Sequence, residues 1–317
     1  MKIGNIEVGN LILGPMAGFT DMPFRALCIE QGATFTYTEM ISAKALYYKN
    51  KNTLPLLATG PSERPVAVQL FGNDPELLAQ EAAKLEDGPY DVFDINMGCP
   101  VQKVVGNGEG SALMREPEKV EAIISAMTKR LSKPVTVKIR KGFSENEVNA
   151  VEIAKIAEGA GAAAIAIHGR TREEFYHGKA DWKIIAQVKD AVKIPVIGSG
   201  DIYSGKDAKK MMDETGVDAV MVARGARGNP WIFHQIQTYL ETGKEPERPS
   251  LGEVREMILR HVNLMIDFAG EDAAIRQMRK HVGFYVTGYH DASRMRREIN
   301  RCMTLAEFEN SLTKWDA

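Results

Sequence analysis

Cysteine is scarce in this chain, and what there is does not pair: Cys28, Cys99 and Cys302 are odd in number and lack CxxC spacing. That argues against a disulfide framework and against a zinc cage, so reduced thiols and no metal are expected. Long apolar runs are missing too. No stretch approaches the ~18 uninterrupted apolar residues of a membrane span, and Met1-Lys2-Ile3-Gly4-Asn5-Ile6-Glu7 has no charged-then-apolar leader. The expectation is a cytoplasmic protein with no membrane partner. An excess of one charge sign is also absent, since the formal net charge is -2. Spread uniformly, that balance would disfavour a nucleic-acid partner. Polyanion binding rests on local Lys and Arg, however, so distribution decides. Finally, no strand pattern opens a GxGxxG turn, which weighs against a dinucleotide-binding fold.

What is present is an ordinary globular composition, 44% hydrophobic and 26% charged over 317 residues. The length suits one α/β barrel of roughly 250 residues plus an appendage. Short apolar or β-branched runs recur at Leu11 to Leu13, Phe35 to Thr38, Val66 to Leu70 and Val92 to Ile95. They continue at Val135 to Ile139, Ala163 to Ile167, Pro195 to Gly198 and Ala219 to Val222. Helical patterns lie between them, among them Pro75 to Leu85, Pro117 to Leu131, Glu147 to Glu158, Trp182 to Ala191 and Gly205 to Thr215. Repeated βα units imply a parallel sheet, and eight of them suit a closed (β/α)8 TIM barrel.

The polar, twice-prolyl segment Thr242-Gly243-Lys244-Glu245-Pro246-Glu247-Arg248-Pro249-Ser250 reads as a linker. The expected organisation is a catalytic barrel over 1–242, a linker over 243–250 and a small C-terminal helical bundle over 251–317. Helical spacing runs over Leu251 to Phe268, Ala273 to Val286 and Ala292 to Cys302, with Ser250 and Asp272 as expected N-caps. The middle of this tail concentrates Arg276, Arg279, Lys280, Arg294, Arg296, Arg297 and Arg301 against Asp291 and Glu298. Arginines decorate many exposed helices, but so local an excess forms a candidate phosphate-binding face.

In such a barrel the reactive groups follow the strand ends. After the first strand, Gly14-Pro15-Met16-Ala17-Gly18 is a turn of small residues that lets backbone approach a flat ring, with Met16 as a soft contact. Gln69 ends the third strand with an amide that both donates and accepts, as the pyrimidine-like edge of a flavin requires. Lys138 sits inside an apolar strand, where its charge calls for an anionic partner. His168-Gly169-Arg170-Thr171-Arg172 brings an imidazole and two guanidiniums near the mouth. The last two strands lead into Gly198-Ser199-Gly200-Asp201 and Ala223-Arg224-Gly225, loops able to aim N–H groups at a phosphate. Either loop alone reads equally as strain relief. Together, a phosphate grip, a polar-edge Gln and a charge-balancing Lys describe FMN better than a dinucleotide.

Cys28 falls in an apolar helical pattern and Cys302 near a helix end, so burial accounts for both. Cys99 differs, because Gly98 and Pro100 restrict the loop around it just past the fourth strand, facing the barrel mouth. A thiol with an ordinary pKa near 8.5 is mostly protonated at neutral pH yet can release its proton. Such an acid suits protonation of C5 of a uracil ring as hydride arrives at C6. Asn96 is expected to hold the polar edge of the base.

Pro15-Met16-Ala17-Gly18, Asn96-Met97-Gly98-Cys99-Pro100, Val137-Lys138-Ile139-Arg140, His168-Gly169-Arg170-Thr171-Arg172 and Gly225-Ala226-Arg227-Gly228-Asn229-Pro230-Trp231 resemble the tRNA-dihydrouridine synthase family, in its bacterial B-type branch. The resemblance spans essentially the whole chain. It implies FMN held by Pro15, Met16, Ala17, Gln69, Lys138 and His168, together with Ser199, Gly200, Asp201, Ala223 and Arg224. It implies Cys99 as proton donor, NADPH or NADH as electron source, and tRNA as substrate. Contacts to that RNA are expected from Asn96, Arg170, Arg172 and from the tail at Arg276, Arg279, Lys280, Arg294, Arg296 and Arg297. The chain departs from the family pattern with Ser199 where Asn is usual, Ala223 where Gly is usual, and Gly106 where a lysine is common.

Two other readings compete. A dihydroorotate dehydrogenase-like FMN barrel would run related chemistry on a free pyrimidine, but leaves the arginine-rich tail unexplained. A noncatalytic RNA-binding barrel would have no use for Cys99. The tRNA position reduced, the nicotinamide preferred and the oligomeric state stay open at this level, a monomer being admitted.

Overall fold

Side chains alternate across a strand, and here the alternation divides each strand between two cores. Val66, Val68 and Leu70, or Val135, Val137 and Ile139, pack outward against the surrounding helices. Their neighbours turn inward, where small or branched residues such as Ala67, Val92, Ala164, Ala166 and Ile197 fill the floor. Above that floor the inward positions become polar: Gln69, Asp94, Asn96, Lys138 and His168. The result is a barrel with an apolar base and a chemical rim.

The computed structural model describes residues 1–316. Its barrel strands are β1 (Leu11–Leu13), β2 (Thr36–Tyr37), β3 (Val66–Phe71), β4 (Val92–Met97), β5 (Val135–Gly142), β6 (Ala164–Thr171), β7 (Val196–Ser199) and β8 (Ala219–Val222). All neighbours pair in parallel in the order β1-β8-β7-β6-β5-β4-β3-β2. A parallel bridge between Ile12 and Phe35 spans the remaining gap between β1 and β2. The expected eight strands and barrel are therefore present. An antiparallel pair, Lys2–Ile3 with Ile6–Glu7, precedes β1.

Each strand is followed by a helix: α1 (Met22–Glu30), α2 (Ala43–Tyr47), α3 (Pro75–Ala83), α4 (Pro117–Arg130), α5 (Ala150–Gly159), α6 (Trp182–Ala191), α7 (Gly205–Thr215) and α8 (Ile232–Thr242). Asp21, Asp74, Asp181 and Ser204 cap their helices by accepting backbone N–H bonds. A buried ion pair, Arg25 with Glu63, ties α1 to the barrel wall, and Thr36 Oγ1 donates to the same carboxylate at 2.8 Å.

The tail holds four helices, α9 (Leu251–Ala269), α10 (Glu271–Tyr285), α11 (Ala292–Ile299) and α12 (Leu305–Thr313). They share a core of their own, which also takes in Leu27 of α1. Ser250 caps α9 as expected, and the structure adds Glu253 to complete a capping box. Asp272 is not a cap: α10 starts after Gly270 at φ +78°, which places Asp272 in the first turn. Nor does α11 reach Cys302, and α12 was not foreseen. Gly228 makes the seam between barrel and tail possible, because a Cβ there would collide with the backbone of Phe284 and Tyr285. Among the described residues no helix is long and apolar enough to cross a membrane.

Candidate active site

The C-terminal ends of the strands surround a cavity of about 570 Å³, within the range of cofactor sites. Its walls include Pro15, Met16 and Ala17 after β1, Cys99 after β4, Lys138 and His168 on β5 and β6, and the loops after β7 and β8.

Beneath this cavity runs a ladder of hydrogen bonds that ends at Cys99. Thr136 Oγ1 donates to Asp94 at 2.6 Å, and Gln69 Nε2 donates to the other oxygen of Asp94 at 2.7 Å. Asn96 Nδ2 donates to Gln69 Oε1 at 2.8 Å, and Asn96 Oδ1 accepts the N–H groups of Gly98 at 3.1 Å and Cys99 at 2.9 Å. Burial raises the Asp94 carboxyl to about 6, against the pull of these bonds and of Lys138. Gln69 is fully buried, one layer below the cavity wall, with its amide committed at both ends. Asn96 lies on the wall, and its carbonyl oxygen holds the Cys99 loop. Both residues brace the Cys99 loop through these bonds.

The Cys99 loop is held from above as well. Its carbonyl accepts Ser111 Oγ at 2.8 Å, and the Gly98 carbonyl accepts Arg140 Nε at 2.8 Å. Burial pushes the Cys99 thiol up, while the Val101 N–H and the charges of Arg140 and Lys138 pull the other way. The thiol is therefore protonated at neutral pH. Lys138 is brought down to about 8 by burial and by Arg140. No hydrogen bond or ion pair engages its ammonium among the described residues. His168 is driven well below its usual value by burial and then by Arg140, Lys138, Arg170 and Arg224, so its imidazole is neutral.

On the opposite wall Asp201 organises the cations. At φ +59° it accepts Arg170 Nη2 at 2.7 Å, the Ala180 N–H at 2.7 Å and Arg224 Nη2 at 3.1 Å. Gly200, at φ +122°, leaves the space that a Cβ would take from His168 and Ala180. Arg224 lies 4.6 Å from the Tyr176 ring. Arg170 is 1% exposed and also donates to the carbonyls of His177 and Gly178, so it braces this wall from within. Arg172 leaves the cavity wall and donates to Gln102, in the loop after Cys99, at 2.6 Å. Gly106 ends the one-turn helix of that loop and is exposed.

The sequence reading missed Arg140, Tyr176 and Arg227 as wall residues. For Arg140 a signal existed, since period two sets it on the same face as Lys138. Arg140 donates to the carbonyls of Thr171 and Phe175 and joins two loops. In the tail, Arg279, Arg294 and Arg296 bond the carbonyls of Cys302, Lys314 and Gly283. Arg276 and Arg297 are exposed and carry no such bonds among the described residues. Lys280 donates to the Gly18 carbonyl and lies 4.2 Å from the Phe19 ring.

A cavity with an unanswered Lys138, an arginine-rich wall and one carboxylate fits a phosphorylated ring cofactor. The chain matches the model of the family described as Dihydrouridine synthase (Dus) over residues 12–316. It is 42% identical over 303 residues to the probable tRNA-dihydrouridine synthase of Rickettsia conorii, covering 95% of this chain and 91% of that one. To the tRNA-dihydrouridine synthase B of Pseudomonas aeruginosa it is also 42% identical, with the same coverage. The B enzyme of Vibrio parahaemolyticus matches at 42% over 301 residues, 95% of this chain and 94% of that one. Among solved structures, histamine dehydrogenase from Rhizobium sp. 4-9 shares the fold, with a TM-score of 0.58 and 12% identity. That alignment covers 83% of this chain and half (50%) of the larger protein.

Proposed function

The chain belongs to the dihydrouridine synthase family, and from that premise we propose that it reduces the C5=C6 bond of specific uridines in tRNA to 5,6-dihydrouridine. The cofactor in this reading is FMN, recharged by NADPH or NADH, and the setting is the cytoplasm. FMN, when bound, supplies the hydride that C6 of the base accepts. Lys138 would hold an electron-rich edge of the ring system, which would give its ammonium the hydrogen-bond partner it lacks among the described residues. The walls at Ser199 to Asp201 and Ala223 to Arg224 hold the cofactor phosphate through N–H groups and guanidinium.

Cys99 delivers the proton to C5 of the base. It has the two properties an acid needs in that place, a proton retained at neutral pH and a backbone held still by Asn96, Ser111 and Arg140. The target base lies within a duplexed or folded RNA and must leave its stack to enter a cavity of this depth. Exposed Arg276 and Arg297, with Lys280 at the seam, are the tail groups that meet the RNA backbone. The accompanying division is a catalytic barrel over 1–242, a linker over 243–250 and an RNA-binding tail from Leu251 onward.

The observation that carries the reading is the placement of Cys99 at the cavity wall, its backbone fixed by a hydrogen-bond ladder through Asp94, Gln69 and Asn96. The test incubates the protein with FMN, NADPH and unmodified tRNA and quantifies dihydrouridine for wild type and Cys99→Ala. Loss of a positioned acid predicts a fall of roughly 10²- to 10⁴-fold with flavin binding retained. An unaffected variant removes Cys99 from the reaction.

A further inference from the structure

Arg227 stands where two cavities meet. It lines the cavity over the barrel mouth and also a second one of about 180 Å³. The second is walled by Gly228 and Asn229 of the barrel, by Arg248 and Pro249 ahead of α9, and by Phe284 and Tyr285 of α10. Its guanidinium lies 4.4 Å from the Phe284 ring and 5.5 Å from the Phe19 ring. Its Nε is buried without a hydrogen-bond partner.

The neighbouring cations are all answered. Arg224 donates to Asp201, Arg248 to the carbonyls of Thr287 and Gly288, and Lys280 to the carbonyl of Gly18. No carboxylate or carbonyl answers Arg227 among the described residues. Burial disfavours its charge, and Arg224 lies near enough to disfavour it further. A guanidinium flanked by aromatic rings is already ordered, with its planar fork left to recognise an oxyanion. One of those rings belongs to the barrel and the other to the tail. Lys280, a tail cation, lies 4.2 Å from the same Phe19 ring.

We infer that Arg227 grips a backbone phosphate of the RNA strand where that strand crosses the seam between barrel and tail. This rests on the function proposed above. The shared chemistry is phosphate recognition, and the other source of phosphate within reach is FMN itself. The RNA is favoured because the Arg227 site straddles both parts of the molecule, whereas the cradle at Asp201 and Arg224 is built by the barrel alone.

The test uses the full chain with R227Q, R227K and R227M. It reads kcat and KM for unmodified tRNA, the FMN dissociation constant, and tRNA affinity as a function of salt. R227Q should raise KM for tRNA about tenfold with kcat within about twofold, and leave FMN affinity unchanged. The slope of log affinity against log salt should fall by about 0.7 to 0.9, one phosphate contact. R227K should recover the slope and much of the KM, while R227M, which keeps the apolar contact with both rings, should not. Rescue by R227M instead of R227K assigns the residue to packing and overturns the inference. A parallel loss of FMN affinity assigns the phosphate to the cofactor and overturns it equally. If wild type forms no dihydrouridine, the proposed function falls; the salt slopes of direct tRNA binding still decide Arg227.

Discussion

Lys138 concentrates the electrostatics of the site at one atom. Burial and then Arg140 lower its pKa to about 8, against the weaker opposing pull of Asp94 and Cys99. At pH 7 it is a cation; as pH rises through that value the charge is lost. A bound anion raises the value in the complex, so FMN affinity should begin to fall at about pH 8, the value of the free protein, and go on falling up to the higher value of the complex. Lys138→Met keeps the bulk without the charge and should weaken FMN about tenfold or more at pH 7, with little further change up to pH 9. Flavin fluorescence quenching across that range checks it, and a pH-dependent variant would sink the assignment. Cys99 titrates in the opposite functional sense: its raised pKa keeps the acid form, so dihydrouridine formation should persist through neutral pH. Lys138 and Cys99 were legible from their own strand ends. Arg170 was not, because its partner Asp201 lies 31 positions away and the ion pair forms only when β6 and β7 adjoin.

At the scale of an element, β4 shows how a strand becomes a support. Phe93, Ile95 and Met97 anchor it to the helical layer, while Asp94 and Asn96 face inward and hand rigidity from Thr136 and Gln69 to Cys99. Asn96→Ala strips the partners from two backbone N–H groups and from Gln69 Oε1. We expect a stability loss of about 1–3 kcal/mol by urea unfolding. Single-turnover reduction of tRNA should slow while FMN affinity holds. A variant as fast as wild type would mean that the loop above, at Ser111 and Arg140, suffices to place the thiol. Period two made these residues legible as one inward row, yet it suggested ligands for a cofactor or base. Whether an inward amide meets a ligand or another amide depends on its layer, and layer depends on the stagger between strands.

At the scale of the molecule, barrel and tail meet over a patch with little polar compensation. His261 and His281 lie with ring centroids 4.6 Å apart, and among the described residues His261 Nε2 and both nitrogens of His281 lack hydrogen-bond partners. Around them stand Asp21, Lys280, Phe24 and Tyr285. Burial, then His261 and Lys280, hold His281 well below its usual pKa. Below about pH 6.5 the unfolded chain therefore takes up a proton that the folded one refuses, and stability falls with pH by up to about 1.4 kcal/mol per unit. Asp21, raised to about 6 chiefly by burial, works in the opposite direction. Comparing His281→Gln with wild type isolates the histidine. The variant should lose stability less steeply between pH 6.5 and 5 in denaturant titrations, and equal slopes would contradict a buried neutral His281.

By itself the amino-acid sequence determined the repeating βα order, the polar strand ends and the singular place of Cys99. Those follow from local periodicity and from residues whose chemistry is costly to leave unanswered in an apolar strand. Its runs of arginine in the tail were visible too, but not their division of labour. Arg279, Arg294 and Arg296 are occupied by carbonyls, while Arg276 and Arg297 stay exposed. Tertiary structure alone decided which polar groups satisfy one another and which are left over. A hydrogen bond depends on distance in space, and separations such as 42 residues between Thr136 and Asp94, or 262 between Lys280 and Gly18, leave no trace in spacing.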